Sequence, residues 1–163
     1  MAKNPHPQPK EKPETKVIAL NRKAYYDYNI LEVVEAGLVL KGTEIKSIRE
    51  GKVNLRESYA RPEGGQIWLF NMHVATYHAG SVHNHEPTRP RKLLLHKNQI
   101  LQLAQQTDQK GLTLVPLKLY IKRHRAKVEL GVAQGKKLYD KRRVMAEREA
   151  RQETQRTLKQ HRE

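Results

Sequence analysis

Arg89, Arg91 and Lys92 stand in the run TRPRK at residues 88–92, directly before Leu93, Leu94 and Leu95. Guanidinium groups at this spacing, held by a proline and an apolar anchor, suit bidentate recognition of phosphate oxygens, with Lys92 adding a point charge. A second cluster, NRKAYYDY at residues 21–28, interleaves Arg22 and Lys23 with Tyr25, Tyr26 and Tyr28; Lys41, Lys46, Arg49 and Lys52 follow. A wet tyrosine stacked on a base contributes about 1–3 kcal/mol, against about 0–1 kcal/mol for an exposed ion pair, so rings would supply grip and cations attraction. Each ring is equally consistent with a place between core and solvent. A third feature is GVAQGKKLYDKRR at residues 131–143, where a strand-like pattern gives way to a cationic tail. Residues 136–163 hold ten Lys or Arg against five acids, the balance of a polyanion-binding arm.

Two other constellations carry weaker signals. Glu44-Ile45-Lys46 has the E-x-K spacing of metal-dependent nucleases, in which a carboxylate holds magnesium and a lysine steadies the attacking water. No Asp stands just upstream to complete it, and on a helix Glu44 and Lys46 point to different sides. His73, His78, His83 and His85 fall in a polar stretch with no Cys or carboxylate frame, so solvation is expected there and no metal. No cofactor and no catalytic residue are expected.

The whole chain carries a formal charge of +15 with a pI near 10.1, which favours a nucleic-acid partner. Residues 1–16 contribute +2, residues 17–135 contribute +8 and the tail +5, so the body itself is basic. The absence of cysteine excludes disulfides, thiolate zinc sites and cysteine nucleophiles. No apolar run approaches the roughly 20 residues that cross a bilayer, and the start lacks a signal-peptide stretch; a cytoplasmic protein with no membrane contact is expected.

Residues 1–15, rich in Pro and Lys, are expected to form a disordered arm, residues 16–135 the folded domain and residues 136–163 the tail. Asn21 can cap a short helix through Tyr28. Residues 30–40 are β-rich, with a bulge or bend at Gly37. A second helix opens at Gly42 with Thr43 as its cap and ends at Gly51. Residues 58–61 and 66–73 form a hairpin around Pro62-Glu63-Gly64-Gly65, residues 75–90 a long surface loop and residues 97–109 a third helix. Residues 112–123 and 125–133 alternate as two long antiparallel strands. About six curved strands with helices at the seams give a mainly β fold, an OB-like closed antiparallel barrel with about three peripheral helices; an open α+β sandwich has a similar pattern. The tail is rich in helix formers but poor in apolar residues, so it should fray when free and fold on a polyanion.

Four blocks in order, NRKAYYDY (21–28), VEAGLVLKGTEIKSIREGKVN (34–54), PTRPRKLLLH (87–96) and KVELGVAQGKKLYDKRR (127–143), resemble the small protein B family. These are the SsrA-binding proteins that escort transfer-messenger RNA to stalled bacterial ribosomes. The resemblance implies a non-catalytic protein whose OB-like barrel binds the tRNA-like domain of that RNA, with elongation factor Tu joined through the RNA. It assigns Glu35, which spacing alone reads as a surface charge, to the RNA face, together with Leu94, supporting that surface from beneath, and His96. Arg22, Lys23, Tyr26, Lys41, Arg89, Arg91 and Lys92 are the other RNA-binding candidates. The tail would enter the small-subunit decoding centre and the vacant mRNA channel, with Lys136, Lys137, Tyr139, Asp140, Lys141, Arg142 and Arg143 at the junction. Tyr139 would stack on ribosomal RNA, Lys141 and Arg142 would touch its backbone, and Asp140 would cap the tail helix. A general OB-type RNA chaperone or ribosome-associated protein is the alternative, and a metal-dependent nuclease the more distant one.

Overall fold

The computed structural model describes residues 14–77 and 85–160. The expected N-terminal arm falls, up to residue 13, outside the described residues, as do His78, His83 and the tip of the loop. The chain runs β1 (Thr15–Leu20), α1 (Arg22–Asp27), β2 (Tyr28–Leu38), α2 (Gly42–Arg49), β3 (Val53–Asn54), β4 (Tyr59–Glu63), β5 (Gln66–Phe70), β6 (His73–Val74), β7 (Arg91–Leu94), α3 (Lys97–Lys110), β8 (Thr113–Lys122), β9 (Arg125–Gly135) and α4 (Leu138–Gln160). The fold is mainly β, with four helices among the described residues. None of these helices is long and apolar enough to cross a membrane.

Strand pairing makes a ring. The order is β1-β8-β4-β5-β7-β2-β9, and β9 pairs again with β8, so six strands return on themselves while β1 and β4 share one edge of β8. Alternation drives it: on β8 and β9 one set of side chains, including Leu114, Leu119, Val128 and Leu130, is buried inside with Leu69 and Leu93. Burying a side chain of this size contributes about 1.5–3 kcal/mol, so this interior is the main source of stability. Pro116 fits within β8 because the register shifts between it and Lys118.

Asn21 caps α1 as its position predicts, accepting from the Ala24 N–H at 3.2 Å. It also donates from Nδ2 to the carbonyls of Leu55 (3.2 Å) and Pro116 (2.9 Å), so this buried side chain fixes α1 against the ring. Gly37 is not a bulge. The register shift in β2 lies between Ile30 and Glu32, and Gly37 pairs with both Leu94 and Lys127. A Cβ there would stand 3.1 Å from Leu94 Cβ, so glycine permits the close approach of β7. The cap of α2 is Lys41, two residues before the expected Thr43, and the Glu44 carboxylate accepts from the Lys41 N–H at 2.9 Å.

Candidate nucleic-acid interface

Glu35 projects from β2 on the outer face of the ring, opposite Glu129 of β9. Tyr120 of β8 pairs with Lys127, and its hydroxyl reaches across β9 to donate to Glu35 Oε2. That hydrogen bond, helped by the charges of Lys122 and Lys127, outweighs burial and holds the Glu35 carboxyl below the usual range. Burial and the carboxylate push the Tyr120 phenol up, so it stays a donor. Glu35 and Lys127 line two adjoining clefts. One also contains Leu94, His96 and Gln99, and the other Lys122, Arg123 and Arg125. Leu94 is 53 % exposed: it stands in the surface and does not support it from beneath. His96 is exposed at the start of α3, where its N–H donates to Gln99 Oε1 at 3.0 Å.

Sequence reasoning missed Tyr120, Lys122, Arg123, Arg125 and Lys127. The available signal was parity: residues 118, 120 and 122 share a face of one strand, and KRHRAK at 122–127 concentrates charge at its turn. That turn is unusual. Lys122 pairs with Arg125, and between them Arg123 (φ 50°) and His124 (φ 64°) are both left-handed, as Gly64 (φ 58°) and Gly65 (φ 75°) are between β4 and β5. Two-residue hairpins of this hand require positive φ at both positions. Side chains there cost about 1–2 kcal/mol each relative to glycine's freedom, and here both are exposed, with Arg123 lining the cleft beside Glu35.

Arg89 and Arg91 have other work. Arg91 is 0 % exposed and donates to Glu44 Oε1 (3.1 Å), the Met72 carbonyl (2.7 Å) and the Pro87 carbonyl (3.1 Å). Arg89 grips the same carboxylate with two bonds, Nε to Oε1 at 2.6 Å and Nη2 to Oε2 at 2.7 Å. The phosphate-fork expectation for this pair is therefore corrected: their donors are taken up by Glu44 and by backbone carbonyls. Burial favours the neutral acid, but the Arg89 and Lys41 hydrogen bonds and both cations prevail, so the Glu44 carboxyl lies below its ordinary range. Desolvation lowers the Arg91 guanidinium. Glu44 itself is 0 % exposed, so it is no open nuclease carboxylate. The loop is also less superficial than expected at its end, where buried His85 bonds the Val74 carbonyl (2.9 Å) and Thr43 Oγ1 (3.2 Å). Lys92 is half-buried on β7, and Lys41 is exposed.

The tail is a continuous helix, α4, whose start is anchored to α1. Lys141 Nζ lies 3.1 Å from Asp27 Oδ1 and 5.9 Å from the Tyr26 ring centroid. The Lys136 N–H donates to the Asp27 carbonyl (2.9 Å) and Lys136 Nζ to the Tyr25 carbonyl (3.0 Å). Asp140 sits inside the first turn and not at the cap, favourable there for the helix dipole. Lys137, Tyr139, Arg142 and Arg143 are exposed, and all side chains from Met145 to Lys159 are too. On α1, Arg22 is exposed and Lys23 pairs with Glu57.

A family model described as SmpB protein matches residues 18–160. This chain belongs to the SmpB family. It is 61 % identical over 144 residues to an SsrA-binding protein of Carboxydothermus hydrogenoformans, a match that covers 88 % of the chain and 97 % of the relative. It is 58 % identical over 148 residues to an SsrA-binding protein of Geobacillus kaustophilus, covering 91 % and 96 %. Among solved structures, it is similar to a chain from "tmRNA-SmpB: a journey to the center of the bacterial ribosome", with 53 % identity, TM-score 0.64 and coverage of 76 % of this chain and 86 % of that one.

Proposed function

We propose that this chain is a non-catalytic RNA-binding protein that binds transfer-messenger RNA and delivers it to stalled ribosomes. The observation that carries the reading is the likeness to the SmpB chain of the ribosome complex at 53 % identity, over a ring whose outer face is basic around Glu35. On this reading the ring is an OB-like closed barrel, residues 16–135 form the RNA-holding body and residues 136–163 the probe. Glu35 accepts from a base edge while Lys122, Arg123, Arg125 and Lys127 hold phosphates around it. Leu94 packs on the RNA and His96 flanks it; Lys41, Lys92, Arg22, Lys23 and Tyr26 extend the surface, and elongation factor Tu joins through the RNA.

The tail's role follows from its shape. A solvated, cationic helix tied to the body near its start can enter a phosphate-lined channel, whereas mRNA already in that channel would exclude it. The decoding centre and the empty mRNA channel of the small subunit meet that description. Lys137, Tyr139, Arg142 and Arg143 face outward for such contacts, with Lys136 and Lys141 setting the helix direction. Deleting residues 137–163 tests the division of labour: RNA binding should persist while rescue of stalled ribosomes in a translation extract is lost. Loss of RNA binding as well would refute it.

A further inference from the structure

A cleft of about 320 Å³ opens beside the Glu35 face, between the end of β2, the start of α2 and the β8–β9 turn. Leu40, Ile45 and Leu94 wall it; Lys41, Arg125 and Lys127 stand at its rim, and no acid lines it. Those three cations take part in none of the ion pairs among the described residues. An apolar slot with a cationic rim is unsuited to an acceptor-poor apolar peptide, which would leave Lys41 and Arg125 unanswered while Lys127 acts on Glu35, and equally to a free phosphate, which would leave the walls unused. A nucleotide answers both halves. The cleft adjoins the RNA face through Leu94 and Lys127, which line both.

We propose that this cleft takes one unpaired nucleotide of the bound RNA, its base against Leu40, Ile45 and Leu94 and its phosphate held by Lys41, Arg125 and Lys127. The nucleotide must be unpaired, since a base within a helix presents only its edge. The inference rests on the RNA-binding reading and adds a specific requirement to it: a base splayed out of the helix at the edge of the contact surface.

The test uses the full-length chain and the tRNA-like domain of transfer-messenger RNA, probed by base-modifying reagents. With the native chain, one unpaired base should become protected. Ile45→Trp, which fills the slot, should restore that base's reactivity, leave the rest of the footprint intact and weaken binding about tenfold, through the loss of one base's apolar contact and its phosphate pairing. The double variant Lys41→Gln with Arg125→Gln changes only exposed side chains, so it serves if the tryptophan impairs folding; it too should release that base. If the native chain binds and both variants leave every protection unchanged, the cleft is not a nucleotide site, although the RNA-binding reading survives. If the native chain does not bind the RNA at all, that reading falls and the inference with it.

Discussion

Lys141 of the tail helix lies 3.1 Å from Asp27 of α1, with the Tyr26 ring beneath it. This contact connects the two parts of the molecule that would meet different RNAs. Both partners are partly exposed, so the pair itself contributes only about 0.2–1 kcal/mol. Its effect is directional: it fixes where a helix of 23 residues points.

Asp27→Asn should therefore leave thermal stability and RNA binding by the body nearly unchanged while loosening the start of α4. Hydrogen exchange at residues 138–144 is the direct measurement. Faster exchange confined to that turn is expected; unchanged exchange would show that Lys136 alone holds the tail.

Tyr120 and Glu35 should act as one unit. Tyr120→Phe removes the donor that orients the carboxylate and should weaken RNA binding about fivefold, the equivalent of about 1 kcal/mol. Glu35→Gln should cost at least as much, and the double variant no more than the worse single one. Additive losses in a double-mutant cycle would separate the two residues.

Glu44→Gln should destabilise the fold by about 3–5 kcal/mol, because it leaves Arg89 and Arg91 facing a neutral group in the interior. The pH dependence has a definite sign. The folded carboxyl titrates below its ordinary value of 4.5, so its stabilisation is present above that pH and disappears as the pH falls through the lowered value. Between about pH 7 and about pH 3, denaturation midpoints should fall more steeply for the native chain than for Glu44→Gln. Parallel slopes would contradict the role given to the triad.

The strands and helices were legible because their signals are local: alternation in residues 112–133, the Asn21 cap and the Gly64-Gly65 turn. Glu35, Leu94 and His96 came only through the family resemblance. Arg89 and Arg91 misled because a phosphate fork and a carboxylate fork use the same guanidinium geometry, and the carboxylate in question, Glu44, is 45 and 47 residues away. Tyr120 and Lys127 were hidden for a similar reason: their significance lies in the β8–β9–β2 register, which brings them beside Glu35. The contact of Lys141 with Asp27 was equally hidden in the sequence, because the two residues stand far apart in the chain and meet only where α4 starts beside α1.

The β8–β9 turn offers a trade between stability and binding. Replacing Arg123 with Asn and His124 with Gly relieves two left-handed side-chain positions and should stabilise the chain by about 1–2 kcal/mol. Because it removes Arg123 from beside Glu35, RNA affinity should fall. A more stable variant with undiminished affinity would exclude this turn from the interface.

The central claim is tested most directly by binding of the full-length chain to the tRNA-like domain of transfer-messenger RNA and to an ordinary tRNA, side by side at physiological salt. A strong preference for the former is predicted. Equal, salt-sensitive binding to both would contradict it and leave only a general basic RNA binder.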